Sequence, residues 1–266
     1  CSWYTGRMPH HHGITFNITD RTLRAETMLG RVFRDAGFFT GYSGKWHINV
    51  PVEKKKRHGF EWLNNIRCNG ADAGIVPDFK RFLTENSNRP FLFSASFNNP
   101  HNICEAARGA GLPDGDPGSS ADPDQLPQLP DNFLIPENEP TVIREVQEMY
   151  RTKTYPTAEW DEKRWRLHRW LYCRITEILD ARIGKLLKVL NQSGQAEDTL
   201  VLFTSDHGDG NAHHRWNQKQ VLYDEAARVP LIISRPGSST GRVDRRQLVN
   251  TGTDLLPTLC GLSGID

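Results

Sequence analysis

The chain has 266 residues, 37% of them hydrophobic and 24% charged, and its 33 Lys and Arg against 32 Asp and Glu leave a formal net charge of +1. That length supports one large core, and so even a charge balance carries no basic footprint for nucleic acid. No apolar run approaches the roughly 18 residues of a membrane span, so no membrane-spanning helix is expected.

The five cysteines (Cys1, Cys68, Cys104, Cys173 and Cys260) contain no C-x-x-C pair. So sparse and odd a set is neither a disulfide framework nor a zinc ribbon. The sequence opens at Cys1 with neither an initiator Met nor a signal peptide, so it is expected to be a piece of a longer protein.

In chain order, apolar residues at helical spacing predict a helix over 22–36, with Thr22 as N-cap and Gly37 as stop. A β-prone run at 38–42 follows, then a helix over 78–85 and an almost wholly apolar strand over 91–97. Between 104 and 156 the composition turns to Pro, Gly, Asp and Asn, with prolines at 113, 117, 123, 127, 130, 136 and 140. A loop this long in a compact domain is usually either disordered or functional, and this one is expected to be a surface loop that borders an active site. The clearest helix runs over 160–190, where Ile175, Ile178, Leu179, Ile183, Leu186, Leu187 and Leu190 recur at steps of three and four. Strands follow at 199–205 and 229–234, and a last helix starts near Asp254.

Short apolar strands alternating with helices predict an α/β fold, a three-layer αβα sandwich around a mostly parallel sheet. Continuous hydrophobicity assigns central positions to 91–97 and 199–205. The whole of 1–266 reads as one catalytic domain with a Pro-rich insertion at about 104–156.

Ligands of such sheets bind beyond the carboxyl ends of the strands. Three of those ends deliver Lys45-Trp46-His47, Asn98-Asn99-Pro100-His101 and Asp206-His207-Gly208-Asp209. A carboxylate followed by an imidazole and a turn-permitting glycine suits a divalent cation. Oxygen favours Ca²⁺ or Mg²⁺, and the His draws toward Mn²⁺ or Zn²⁺. The plainer reading of Asp206 is a cap on a strand-to-helix turn. Lys45 and His47 can hold an anion and shuttle a proton, or can be a solvated lysine beside a packed Trp. His101 alone, or Lys219 alone, would pass as an ordinary polar residue.

Taken together, the motifs resemble the sulfatase family of the alkaline-phosphatase superfamily. Thr5-Gly6-Arg7-Met8-Pro9-His10-His11-His12-Gly13 is similar to T-G-R-x-P-H-x-H-G, and Ser43 to His47 to G-K-W-H. SFNNPH at 96–101 is similar to S-F-x-x-P-H, and Ser205 to Asp209 to S-D-H-G-D. Trp216-Asn217-Gln218-Lys219, Leu222-Tyr223-Asp224-Glu225, Arg228-Val229-Pro230-Leu231 and Asp254-Leu255-Leu256-Pro257-Thr258-Leu259 complete the series.

The resemblance implies an alkaline-phosphatase-like fold and hydrolysis of sulfate esters, with a sulfated carbohydrate as the preferred substrate. It implies Asp206 and His207 as metal ligands, with Ca²⁺ the default and Mg²⁺ or Mn²⁺ the alternatives. Lys45 and Lys219 would bind sulfate oxygens, His47 would collapse the covalent hemisulfate and His101 would assist the leaving group. His214 is a substrate-contact candidate, and His10 to His12 read as structural.

The family's nucleophile is a formylglycine matured from the first residue of C-x-P-x-R or S-x-P-x-R. Cys1 has Trp3 and Thr5 where that motif needs Pro and Arg. The better register puts the nucleophile five residues before Cys1, leaving the first strand with its paired Asp ligands and the C-terminal small sheet outside this sequence. The family further implies a formylglycine-generating enzyme as maturation partner and an extracytoplasmic location. Two alternatives stand beside this reading: a phosphatase or phosphonate monoester hydrolase of the same superfamily, and an inactive fragment that binds carbohydrate.

Overall fold

The computed structural model describes residues 1–16, 21, 23–24, 27–66, 68–86, 88–118, 122–237 and 241–265. In chain order the elements are α1 (Ser2–Thr5), α2 (Pro9–His12), α3 (Leu29–Asp35), β1 (Phe39–Lys45), α4 (Lys55–His58), β2 (Trp62–Ile66), α5 (Ile75–Glu85) and β3 (Phe91–Ser96). There follow α6 (Ile103–Ala107), α7 (Thr141–Met149), α8 (Glu162–Gln192), β4 (Val201–Thr204), α9 (Asp224–Ala227), β5 (Leu231–Ser234) and α10 (Thr251–Leu262). Two compact units emerge. The first comprises Cys1–Cys68, Asp72–Phe97 and Ser238–Asp266, and the second Asn69–Ala71 and Asn98–Gly237. Among the described residues no helix is long and apolar enough to cross a membrane, and no disulfide joins the cysteines.

The first unit is built on a parallel sheet in the order β2-β1-β3. Gly41 of β1 lies opposite Trp62 on one side and Phe93 on the other. Parallel neighbours require a crossover, supplied by the segments holding α4 and α5. Side chains alternate between the two faces. On one face Phe39 stacks on Phe82 of α5 at 4.7 Å, and Phe93 meets Phe79 at 4.8 Å and Phe82 at 4.9 Å. On the other, Tyr42 packs with Ile14, Leu23, Met28, Ile48, Val50 and Phe60. Burying the large apolar side chains on both faces is worth about 2 kcal/mol each.

The middle strand is β1, although apolar content alone marks 91–97 as central. Its place depends on what it lacks: a Cβ at Gly41 would lie 2.5 Å from the Phe82 ring. Small residues let the aromatic rings of β3 and α5 close over the strand, so hydrophobic content misses its position. A polar tie joins the same elements. Asp78 of α5, 3% exposed, accepts from the Ser43 hydroxyl at 2.7 Å and the Asn64 amide at 2.8 Å.

Several element boundaries differ from those expected. The helix anticipated over 22–36 starts only at Leu29. The N–H of Leu23 is taken by the carbonyl of Asn49 and that of Arg24 by His12, so the described residues before Met28 are tied to other segments instead of coiling. Thr22, the expected cap, lies outside the described residues. The helix does stop where Gly37 turns left-handed, at φ +93°. Strand β1 runs on to Lys45, past the expected end at 42, and β2, whose WLNNI has no strong apolar pattern, was not anticipated.

The second unit carries α8, whose first turn is capped by Asp161 accepting from the Arg164 N–H. Its β4 and β5 pair antiparallel, with Val201 opposite Ser234 and Thr204 opposite Leu231. The Pro-rich stretch is not irregular throughout: it contains α7 and a π-helical turn at Tyr150–Thr154. Pro140 sits at the N-cap of α7, where a missing N–H costs nothing, so the prolines delimit this helix without breaking it. His168 of α8 is 2% exposed between Trp160 and Trp165, and both its ring nitrogens lack partners among the described residues.

Two stability outcomes follow from these contacts. Gly44 has φ +115°, and a Cβ there would meet the Ser96 carbonyl oxygen at 1.9 Å. Gly44→Ala should lower the unfolding free energy by about 3 kcal/mol in denaturant titrations. Burial lowers the His168 pKa from 6.5 to about 4. Between those values the unfolded chain binds a proton that the folded chain does not, so stability falls as pH drops from 6.5 toward 4, by about 3 kcal/mol in full. Unfolding free energies at pH 7.5 and 4.5 should therefore differ less in His168→Leu than in the wild type.

Candidate active site

Lys45 and His47 belong to the first unit. Lys45 ends β1 with its side chain half-buried, and its carbonyl accepts from the Tyr42 hydroxyl. His47 follows two residues later and is exposed. His12 of the HHH row is buried, accepting the Ile14 N–H at 3.2 Å and meeting the Ser2 hydroxyl at 3.0 Å, which makes it a core residue.

The second unit holds His101, Asp206, His207, His214 and Lys219. His101 and Lys219, separated by 118 residues, are in direct contact, with Lys219 Nζ 2.9 Å from His101 Nδ1. An ammonium group only donates. Nδ1 is therefore the acceptor, and the ring proton of the neutral imidazole sits on Nε2. The His101 backbone is pinned by its N–H donating to the Asn98 carbonyl at 2.8 Å, and the buried Cys104 thiol lies 4.0 Å from Nε2. Burial pushes that thiol up to about 11, with Glu105 adding to the effect, so it stays protonated.

Asp206 and His207 follow the carboxyl end of β4. His207 Nδ1 lies 2.7 Å from the Gly208 carbonyl, an oxygen that can only accept, so Nδ1 carries the proton. Nε2 of the same ring lies 3.6 Å from Asp206 Oδ2. Two electron-pair donors so close to one another fit a shared cation, and a backbone carbonyl holding the remote ring nitrogen is the usual support for a metal-binding imidazole. They form a partial donor set: among the described residues no group of three or more His, Cys, Asp and Glu gathers to hold a metal.

Asp209, the last residue of the same motif, stands out only in three dimensions. Desolvation pushes its carboxyl up to about 6, against the pull of the Asn211 N–H at 2.8 Å and the charge of Lys219. The sequence gives no reason to prefer it over any other aspartate after a strand.

His214 lies in an unusual turn. Asn211, Ala212, His214 and Arg215 all adopt positive φ, at 41°, 79°, 53° and 50°. Such backbone persists only where its surroundings over-determine it, and it concentrates at ligand sites. Here the Asn132 carbonyl accepts the His214 N–H at 2.8 Å, and Gln147 donates to the His214 carbonyl at 3.3 Å. Ala212 is buried with Phe133 and Trp165, and the His214 ring stacks on Tyr223 at 4.1 Å. His213 lies 3.1 Å from Glu225, and Asn132 donates to the same carboxylate at 3.0 Å. Asn132, His213 and Glu225 are thus part of the surroundings of His214, without any motif that singles them out beforehand.

The Sulfatase family model matches residues 2–265. A Δ4,5-hexuronate-2-O-sulfatase of Bacteroides thetaiotaomicron is 31% identical over 280 residues, covering 98% of this chain and 57% of that protein. A solved 2-O GAG sulfatase superposes with a TM-score of 0.82 at 29% identity, covering all of this chain and 59% of its own. A phosphonate monoester hydrolase from Silicibacter pomeroyi shares the fold, with a TM-score of 0.72 at 18% identity, covering all of this chain and 63% of its own. The chain thus spans somewhat more than half the length of the relatives it matches.

The Lys219 contact predicts an observable that needs no substrate. In ¹⁵N-resolved spectra above the His101 titration, the wild-type ring should be a single tautomer protonated at Nε2. Lys219→Met removes the donor at Nδ1 and should give a mixture of the two tautomers.

Proposed function

We propose, because this chain belongs to the sulfatase family, that it forms part of the catalytic centre of a sulfuric ester hydrolase acting on sulfated carbohydrate. The observation that carries the proposal is the 2.9 Å contact between Lys219 and His101. A sulfate ester in hydrolysis needs a cation for its equatorial oxygens and a proton for its departing alcohol. Lys219 offers the first as a point charge. His101, held with its proton on Nε2, offers the second.

The other roles extend this reading. Lys45 supplies a second cation for sulfate oxygens, and His47 takes the proton when the covalent hemisulfate collapses. His214, stacked on Tyr223 in its strained turn, contacts the substrate. Asp206 and His207 would hold a divalent cation, Ca²⁺ by family default with Mg²⁺ or Mn²⁺ as alternatives. Such an ion, when bound, supplies Lewis-acid stabilisation of developing negative charge. The attacking group, a formylglycine in the family, is proposed to come from outside these 266 residues through a formylglycine-generating enzyme. An extracytoplasmic location belongs to the same proposal.

The test uses the full-length protein and 4-nitrophenyl sulfate beside 4-nitrophenyl phosphate. The wild type should hydrolyse the sulfate ester in preference. Lys219→Met and His101→Ala should each lower kcat by about a hundredfold or more while leaving the unfolding midpoint in place. Near-wild-type turnover in both variants, or a preference for the phosphate ester, would overturn the assignment.

A further inference from the structure

His101 sits in the turn at 98–102, between the end of β3 and the start of α6. Three residues of that turn are asparagines, and Asn98, Asn99 and Asn102 are exposed by only 1%, 4% and 1%. Each uses its side chain to fasten the turn to another stretch of the second unit. Asn98 Oδ1 accepts the Asn69 N–H at 3.0 Å, and Asn102 donates to the Gly70 carbonyl at 3.2 Å. Asn99 Nδ2 donates to Asp114 Oδ2 at 2.8 Å. Buried amides satisfied in this way fix the path of a segment that has no ladder of its own.

The Asn99 tie differs from the other two in where it leads. Asp114 belongs to the Pro-rich stretch, and its second oxygen, Oδ1, accepts from Arg182 Nη2 at 2.7 Å. Arg182 lies inside the 31-residue helix α8, and the pair is well buried, with side-chain exposures of 15% and 3%. The attraction in a buried ion pair does little more than offset the desolvation of its charges, so stability alone is a weak reason to keep one. What this pair does in addition is connect. It runs from a long helix through one carboxylate to Asn99, whose neighbour Asn98 accepts the His101 N–H at 2.8 Å. A catalytic group is placed most precisely when a rigid element holds it.

We infer that Asp114 is a positioning residue of the reaction centre: by bridging Arg182 and Asn99 it holds the turn at 98–102 so that His101 Nδ1 stays on Lys219 and the ring proton stays on Nε2. The inference rests on the sulfatase reading above and adds a residue that acts through His101. Hydrogen bonds weaken beyond about 3.2 Å, so a ring displaced by about half an ångström loses its 2.9 Å contact with Lys219. Only a carboxylate suits the bridge, because Arg182 and Asn99 both donate to it. A carboxamide accepts through one atom and turns its N–H₂ against the second donor. Since His101 would act on the departing alcohol, loss of the bridge belongs in kcat and not in KM.

The experiment uses the full-length protein in three variants. Asp114→Asn keeps the shape and breaks the bridge. The double variant Asp114→Leu/Arg182→Met replaces the buried pair by apolar groups, which is commonly neutral for stability, so it separates positioning from loss of fold. Arg166→Met is the control: it removes a different tie between α8 and the Pro-rich stretch, to the Leu126 and Pro127 carbonyls at 2.7 and 3.1 Å. In ¹⁵N-resolved spectra both Asp114 variants should show His101 as a mixture of tautomers although Lys219 is present. Their kcat on 4-nitrophenyl sulfate should fall by about tenfold or more, with KM within about twofold of wild type. Arg166→Met should keep the wild-type tautomer and kcat whatever stability it loses. A double variant that folds and retains a single Nε2-protonated tautomer overturns the inference. So does an Arg166→Met that loses the tautomer and kcat to the same extent. If the wild type hydrolyses no sulfate ester, the sulfatase reading fails, while the spectra still decide whether Asp114 holds His101.

Discussion

An ammonium group beside an imidazole nitrogen admits one arrangement of protons, and the chemistry proposed here depends on it. Lys219 cannot accept, so His101 Nδ1 must. That single constraint places the His101 proton on Nε2. Neither residue has this property alone. The buried Cys104 thiol stays protonated and donates to Glu105 at 3.5 Å, with its sulfur 4.0 Å from Nε2.

Around this pair the second unit spends stability on shape. Four residues of the Asn211–Arg215 turn sit in left-handed backbone, and none of the four is glycine. Asn132, Gln147, Trp165 and Tyr223 hold them there from four separate stretches of chain. His168 and Arg169 add buried polar groups that have no partners among the described residues on the adjoining helix. Departures from good local structure that gather in one region are expected where a protein meets a ligand. The first unit shows the opposite character: Asp78 is doubly satisfied and the Phe-lined face of its sheet is closed by α5.

The fold was legible where apolar spacing was strong. The 160–190 pattern became α8 at Glu162–Gln192, and the apolar run at 91–97 became β3 at Phe91–Ser96. It was not legible where packing overrode pattern. The 22–36 periodicity yields a helix only from Leu29, because Leu23 and Met28 serve a core that other segments complete. WLNNI of β2 carries too few apolar residues to signal a strand, yet it pairs with β1 over five residues. The helix α7 was hidden by prolines that flank it.

By itself the sequence determined the family, through motifs strung from Thr5 to Leu259, and with it an α/β fold. It also named Lys219, His101, Asp206 and His207, because each sits in a motif of fixed local spacing. Tertiary structure alone decided which of those groups touch, which nitrogen of each imidazole bears its proton, and that Asp209 titrates high beside Lys219. It alone joined Arg182 of α8 to Asn99 through Asp114. The reason is physical: residue types and spacings are local properties, whereas desolvation and hydrogen-bond partnership depend on segments more than a hundred residues apart in the chain.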